Sequence, residues 1–238
     1  MSMIDLRSDT VTLPTADMLR AMTSAPLGDD VFGEDPTVNR LEETAADRMG
    51  KEAALFVASG TMGNLLGLLV NARPGQEVIA DADSHVFRNE AAGAAMVGGI
   101  QVRQVPTERG VLSPAQLLAA LRPTDDDHQP LSAAVFIENT HNWHGGVAWS
   151  EQDLQGISEA ARSHGLAVHL DGARILTHPP PQARMSGPSR STPTRCRSAC
   201  PRVCAARSAA YCAGQPGRSG KPHAGARCWA GVCGKPAS

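Results

Sequence analysis

Three short segments place side chains capable of chemistry directly after apolar runs. Ser59-Gly60-Thr61-Met62-Gly63-Asn64 follows Ala53 to Val57 and precedes an apolar stretch. Small residues there let backbone N–H groups approach an anion, a helix N-terminus favours negative charge, and the Thr61 hydroxyl adds a donor. The same turn would serve equally as a plain strand-to-helix connection. Asp83-Ser84-His85 follows Val78 to Ala80. A histidine exchanges its proton near neutral pH, and one standing alone fits a structural place as well as a catalytic one. In Val168-His169-Leu170-Asp171-Gly172-Ala173-Arg174, a carboxylate and a guanidinium stand three residues apart at the end of an apolar run. They could close a local salt bridge. Alternatively, Asp171 could hold a protonated pyridine nitrogen, strengthening that ring as an electron sink, while Arg174 grips a carboxylate through its two-pronged fork.

Presenting these segments together is the task of alternating strands and helices. Asp35-Pro36 reads as an N-cap with proline at the first helical position, followed by Val38, Leu41, Ala45 and Met49 at helical spacing until Gly50. Ser113-Pro114 opens a second helix in the same way. Ser150 with Asp153 resembles a capping box ahead of Ile157 and Ala161, and Gly165 ends that helix. Between the helices lie Ala53 to Val57, Val78 to Ala80, Ile100 to Val105, Ala133 to Ile137 and Ala167 to Leu170, short and apolar enough for strands buried on both faces. Repeated βα units predict an α/β fold with a largely parallel sheet covered by helices, whose ligands sit at the carboxyl ends of the strands. No internal repeat is visible.

Composition divides the chain near residue 175. Residues 1–175 hold all 24 acidic side chains against 12 Lys and Arg, a formal −12, whereas the remaining 63 residues carry +10. That second stretch holds all six cysteines and nine of the 17 prolines, with no Phe, no Ile and one Leu, so it has little apolar surface to bury. The overall −2 is an average of two unlike pieces and supports no nucleic-acid partner. No apolar run reaches the roughly 18 residues of a membrane span, and Met1 to Asp9 has no signal-peptide pattern. A cytoplasmic protein is expected, and the absence of cysteine before Cys196 agrees with a reducing compartment.

The segments also carry a resemblance. Leu6-Arg7-Ser8-Asp9-Thr10-Val11-Thr12, then Gly28 through Asn39, the Ser59-Gly60-Thr61 loop, Glu138-Asn139-Thr140-His141-Asn142 and His169 through Arg174 together resemble threonine aldolases, in order, from Met3 to Ile175. The resemblance implies the large domain of a fold-type-I, aminotransferase-like pyridoxal 5′-phosphate lyase. It implies cleavage of L-threonine or L-allo-threonine to glycine and acetaldehyde, in threonine catabolism and glycine biosynthesis. Active sites would lie at the interface of a homodimer, often within a homotetramer. Carried over by position, Ser59, Gly60 and Thr61 would hold the cofactor phosphate, His85 would stack on the pyridine ring, and Asp171 would bond its nitrogen. Ser8 and Arg174 would bind the substrate carboxylate, and His141, with His85, would stand near the β-hydroxyl. No metal is expected at that site. Phe32 occupies a position where the family often has tyrosine. The Glu-Asn-Thr-His segment matches threonine aldolases and argues against a sibling lyase that eliminates the side chain of an aromatic amino acid.

One requirement of that chemistry is missing. Such lyases hold their cofactor as a Schiff base with a lysine, in a Ser-Lys-Gly-Leu context downstream of Asp-Gly-Ala-Arg. The only lysines here are Lys51, Lys221 and Lys235, and none fits. Back-translation supplies a reason. With permitted codons for Ser191 to Cys204, reading from the last base of each codon gives His-Ala-Asp-Ala-Val-Ser-Val-Cys-Leu-Ser-Lys-Gly-Leu, with the lysine codon astride Pro201 and Arg202. The same displacement turns Gly231 to Ser238 into Gly-Met-Arg-Gln-Ala-Gly-Ile, and one base restored in the Leu176 codon turns Ile175 to His178 into Ile-Phe-Asn-Ala. Residues 1–175 are therefore expected to be the N-terminal part of the cofactor-binding domain, which is incomplete, and 176–238 an out-of-frame, irregular tail. On this reading the chain as written is an inactive product of a shifted frame. A zinc or disulfide module in the tail is the competing expectation. It is weakened because Pro201 interrupts any helix carrying Cys196, Cys200 and Cys204, and no C-x-x-C pair occurs.

Overall fold

The computed structural model describes residues 4–5 and 7–176 together with the backbone of 210–214. Its elements run α1 (Ala16–Ser24), α2 (Pro36–Met49), β1 (Ala53–Val57), α3 (Gly60–Asn71), β2 (Glu77–Asp81), α4 (His85–Arg88), α5 (Gly93–Met96), β3 (Gln101–Val105), α6 (Pro114–Ala120), β4 (Ser132–Glu138), α7 (Glu151–Ser163), β5 (Ala167–Asp171) and β6 (Ala210–Gly214). The cap chemistry works as the residue types dictate. Asp35 accepts from the N–H groups of Thr37 and Val38, and Gly50 ends α2 at φ +61. Ser113 and Gln116 close a full capping box. At α7 the Ser150 side chain accepts from Asp153 N–H, and Gly165 follows the helix at φ +71.

Strands β3-β2-β4-β5 form a four-stranded parallel sheet in that order. Period-two alternation divides its side chains between two layers. Ile79, Val135 and Ile137 pack on Leu117 of α6 and Ile157 and Ala161 of α7. Val78, Ala80, Ala134 and Phe136 face the other way, onto Leu68 of α3, Val86 of α4 and Ala94 of α5. Ile79, Leu117 and Ile157 are fully buried, and each such side chain contributes roughly 1.5–3 kcal/mol over leaving it in water. β2 is central and is buried along its whole length, its charged ends included. Glu77 meets the hydroxyl of Ser132 at 2.9 Å, with Arg122 Nε at 3.4 Å and an Arg103 guanidinium nitrogen at 3.7 Å.

The expected parallel sheet is thus present, with one difference. β1 lies outside it and pairs antiparallel with β6. α3 nevertheless lies on the four-stranded sheet through Leu68, so the loop between β1 and α3 is still carried to the sheet. The tail expected to be irregular differs at β6, a regular strand that holds Cys212; of the rest only Leu176 is described, and the metal or disulfide alternative for the cysteines lies outside the described residues. Among the described residues no helix is long and apolar enough to cross a membrane.

Candidate active site

The side chains singled out from sequence collect at the carboxyl ends of β2, β4 and β5 and at the first turn of α3. Ser59 caps α3 by accepting from Met62 N–H at 3.1 Å, leaving Gly60 and Thr61 in the turn whose N–H groups have no preceding helical carbonyl. One turn further along, on the face that carries Gly67 and Leu68 into the core, stands Asn64, which is fully buried. Its Nδ2 donates to Glu90 Oε1 at 2.7 Å and to Asp171 Oδ2 at 2.9 Å, and its Oδ1 accepts from His169 Nε2 at 3.1 Å. Two carboxylates on one side fix the amide's orientation, and the amide oxygen in turn fixes the proton of His169 on Nε2. The His169 ring is stacked on Phe136 at 4.2 Å between centroids.

Glu90 Oε1 also lies 2.7 Å from Nδ1 of His85, so His85, Glu90, Asn64 and Asp171 form one chain of contacts. The ligand atoms of His85, Glu90 and Asp171 all lie within 4.8 Å of one another. Two buried carboxyl groups sharing one amide line this floor with oxygen acceptors, which suit an N–H donor, either the imidazole of His85 or a ring nitrogen. Glu138 at the end of β4 fastens the rim. It accepts from His85 N–H at 2.6 Å and from Asn142 N–H at 2.8 Å. A small pocket lined by Ser84, Val86, Phe136, Ile137, Glu138 and Asp171 opens beside it.

The other expected residues are placed as follows. Arg174 forks the Asp9 carboxylate at 2.7 and 3.0 Å and also donates to Asn142 Oδ1 at 2.9 Å. The hydrogen bond from the Arg174 guanidinium to Asp9 holds the Asp9 carboxyl below its ordinary range. Ser8, next to Asp9, is exposed and accepts from Thr10 N–H at 3.2 Å. His141 differs most from its expected place. It is completely buried, with Nε2 3.1 Å from Asp81 Oδ1, and it reaches the His85 group only through Glu138, 3.9 Å away. A ring without exposed surface does not meet a substrate directly. Phe32 is 75% exposed, in a short turn capped by Asp29.

Glu90 and Asp81 carried no signal in the sequence, whereas Asn64 and Glu138 stand within quoted motifs, the Ser59–Asn64 loop and the Glu138–Asn142 segment, that gave them no role of their own.

The Beta-eliminating lyase family profile matches residues 5–178. The chain belongs to the beta-eliminating lyase family. A probable low-specificity L-threonine aldolase 2 of Arabidopsis thaliana is 45% identical over 176 residues, which are 73% of this chain and 50% of that protein. The low specificity L-threonine aldolase of Escherichia coli K12 is 44% identical over 174 residues, 73% of this chain and 51% of its own. Among solved structures, a threonine aldolase of Leishmania major superposes with TM-score 0.57 at 29% identity, covering 66% of this chain and 45% of that one. The chain spans about half the length of the curated relatives it matches. Enzymes of the beta-eliminating lyase family work with pyridoxal 5′-phosphate, and the donor set here fits that group: a capped helix N-terminus suits a phosphate dianion, and the buried carboxylate floor suits a protonated ring nitrogen.

Proposed function

We propose that this chain is the front half of a pyridoxal-phosphate lyase cleaving L-threonine or L-allo-threonine to glycine and acetaldehyde. The observation that carries the reading is the buried chain His85–Glu90–Asn64–Asp171, which lies one helical turn from the phosphate-type loop Ser59-Gly60-Thr61. The first turn of α3 would hold the phosphate, Asp171, its orientation set by Asn64, would pair with the ring nitrogen, and His85 would stand beside the ring. When bound, the cofactor supplies the sink for the electrons of the breaking Cα–Cβ bond. Ser8 and Arg174 take the substrate carboxylate, Arg174 exchanging Asp9 for it. The β-hydroxyl proton passes to the imidazole of His85, whose other nitrogen is held by Glu90. His141 belongs to the wall behind, locked against Asp81.

The exposed apolar side chains Leu13, Leu19, Met22, Leu27, Val31 and Phe32, and the absence of any buried residue in α1, support a homodimer or homotetramer for the intact enzyme. A cytoplasmic location belongs to the same reading.

A second reading is favoured by the lysines. Lys51, between α2 and β1, is the sole lysine among the described residues. We infer that a one-base loss at the Leu176 codon displaced the Ser-Lys-Gly-Leu segment, and that the 238-residue chain is a non-catalytic product. The test combines sequencing across that codon with an assay. Incubated with pyridoxal phosphate and reduced with borohydride, the chain should fix no cofactor to a lysine in the active site and release no glycine from threonine. The gene with one base restored should do both. Glycine release by the unrepaired chain, at a rate like that of intact relatives, would overturn the second reading. A repaired enzyme inert towards both threonine isomers would overturn the first.

A further inference from the structure

A second cluster of ligand-type side chains lies on the far side of Glu138 from His85. It joins the end of β2 to the loop after β4, where an antiparallel bridge pairs His141 with Val147. His141 Nε2 is 3.1 Å from Asp81 Oδ1. His144 Nε2 is 3.7 Å from the same oxygen and 3.6 Å from Asp83 Oδ2. A hydrogen bond explains the first distance and neither of the others. The His144 nitrogen is nonetheless buried and has no hydrogen-bond partner. An imidazole nitrogen buried in that condition costs about 1–3 kcal/mol unless something occupies the space between it and its neighbours.

What fits between them follows from the spacing. Around an ion with bonds of about 2.0–2.1 Å, tetrahedral ligand atoms stand roughly 3.3–3.4 Å apart, close to all three of these separations. Each carboxylate is held from behind. Asp81 Oδ2 accepts from Thr107 Oγ1 at 2.6 Å, Thr107 is itself fixed by Gly110 N–H at 2.8 Å, and Asp81 Oδ1 accepts from Asp83 N–H at 2.8 Å. Asp83 Oδ1 takes Arg88, whose guanidinium lies 3.8 Å over the Trp143 ring, and this leaves Oδ2 towards His144. Such outer contacts orient ligands in metal sites. The histidine rings stand edge to face at 4.7 Å. Gly110, at φ +74, packs so closely that a Cβ there would fall 2.3 Å from His141 and 2.9 Å from His144.

We propose that Asp81, His141 and His144, whose ligand atoms all lie within 4.8 Å of one another, form a binding site for a divalent transition-metal cation of the zinc type, with Asp83, 3.6 Å from His144, closing the fourth position. Two imidazoles and two carboxylates match a double positive charge and favour zinc or cobalt over magnesium or calcium, which prefer all-oxygen shells. The ion fastens the turn after β2 to the loop after β4, and so steadies Glu138 and the N-terminus of α4 beside the cofactor site. The assignment is independent of the reaction proposed above.

The test is cobalt titration of the 238-residue chain with its cysteines alkylated, so that tail thiolates contribute nothing. One equivalent of cobalt should bind with the visible d–d spectrum of a four-coordinate nitrogen and oxygen site, and zinc should displace it. His144→Gln should lose that equivalent, Asp83→Asn should weaken it at least tenfold, and His128→Gln, at an exposed histidine elsewhere, should bind like the parent. If His144→Gln alters the circular dichroism spectrum, Asp83→Asn alone decides. The proposal is overturned if the alkylated parent takes up no cobalt. It is also overturned if Asp83→Asn binds with the parent's affinity, or if a natively folded His144→Gln does.

Discussion

Replacing Gly67 by alanine sets two effects of opposite sign against each other. In a helix interior the substitution ordinarily stabilises by about 1 kcal/mol, because glycine loses more backbone freedom on folding. At Gly67 the new Cβ would lie 2.3 Å from His169 Cε1 and 2.5 Å from its Nδ1. The ring cannot simply swing away, being stacked on Phe136 and bonded to Asn64. Relieving the overlap costs about 2 kcal/mol of overpacking, and losing the Asn64 bond with its partner left buried costs about 2 kcal/mol more. Against the gain of about 1, the net is a destabilisation of about 3 kcal/mol. For a domain of this size that corresponds to a fall of roughly 6–12 °C in Tm. Gly156→Ala is the control. Its Cβ meets only Pro114 Cγ, at 3.4 Å, so the helix-propensity gain survives and Tm should rise by roughly 2–4 °C. Melting followed by circular dichroism at 222 nm reads both variants. A Gly67→Ala protein as stable as the Gly156→Ala protein would refute the placement of His169 against α3.

Asn64→Asp should destabilise by about 3–5 kcal/mol at neutral pH, since it sets a third buried carboxylate between Glu90 and Asp171, and the loss should shrink on mild acidification; a pH-independent loss in urea titrations would count against the network. Asp81 gives a different acid dependence: burial pushes its carboxyl up, but hydrogen bonds from His141, Thr107 and Asp83 N–H outweigh it and hold the group at about 2 instead of 3.8. A depressed carboxyl stabilises above its unfolded value, so about 2 kcal/mol should be present above pH 4 and lost as pH falls towards 2, measured with chelator present; Asp81→Asn should flatten that part of the profile, and an unchanged slope would contradict it. Asp9→Asn should change global stability by less than about 1 kcal/mol, because that carboxylate is half exposed, yet should speed tryptic cleavage after Arg7. Cleavage at the parent's rate would mean that Arg174 does not hold the N-terminal segment.

What was legible in the sequence was local. Asp35-Pro36, Ser113-Pro114 and Ser150 announced their helices because a cap acts within three residues, and Asp171 stood out because it ends an apolar strand. The sequence predicts β2 over Val78 to Ala80 and the strand extends from Glu77 to Asp81, because charged residues enter a central strand only when partners distant in sequence, Arg122 and His141, meet them there. The site's floor was hidden for the same reason. Asn64 meets Glu90 across 26 positions and Asp171 across 107, and no spacing rule spans either distance. The Asp81–His144 cluster escaped notice because its histidines precede Val147 in a loop whose fold is not set by periodicity.

The Arg174–Asp9 fork joins two residues 165 positions apart. A ribosome emits Asp9 early and Arg174 only after all five strands β1 to β5 have been made. The N-terminal segment therefore has no docking partner during almost the whole of its own synthesis. The Arg174–Asp9 contact can form only after the rest of the described sheet has been made, at a loop-closure cost that grows only logarithmically with the length spanned. A nascent chain halted before Arg174 would carry the complete β2–β4 pairing with its front end still loose, exposed to any protease or chaperone waiting at the exit tunnel.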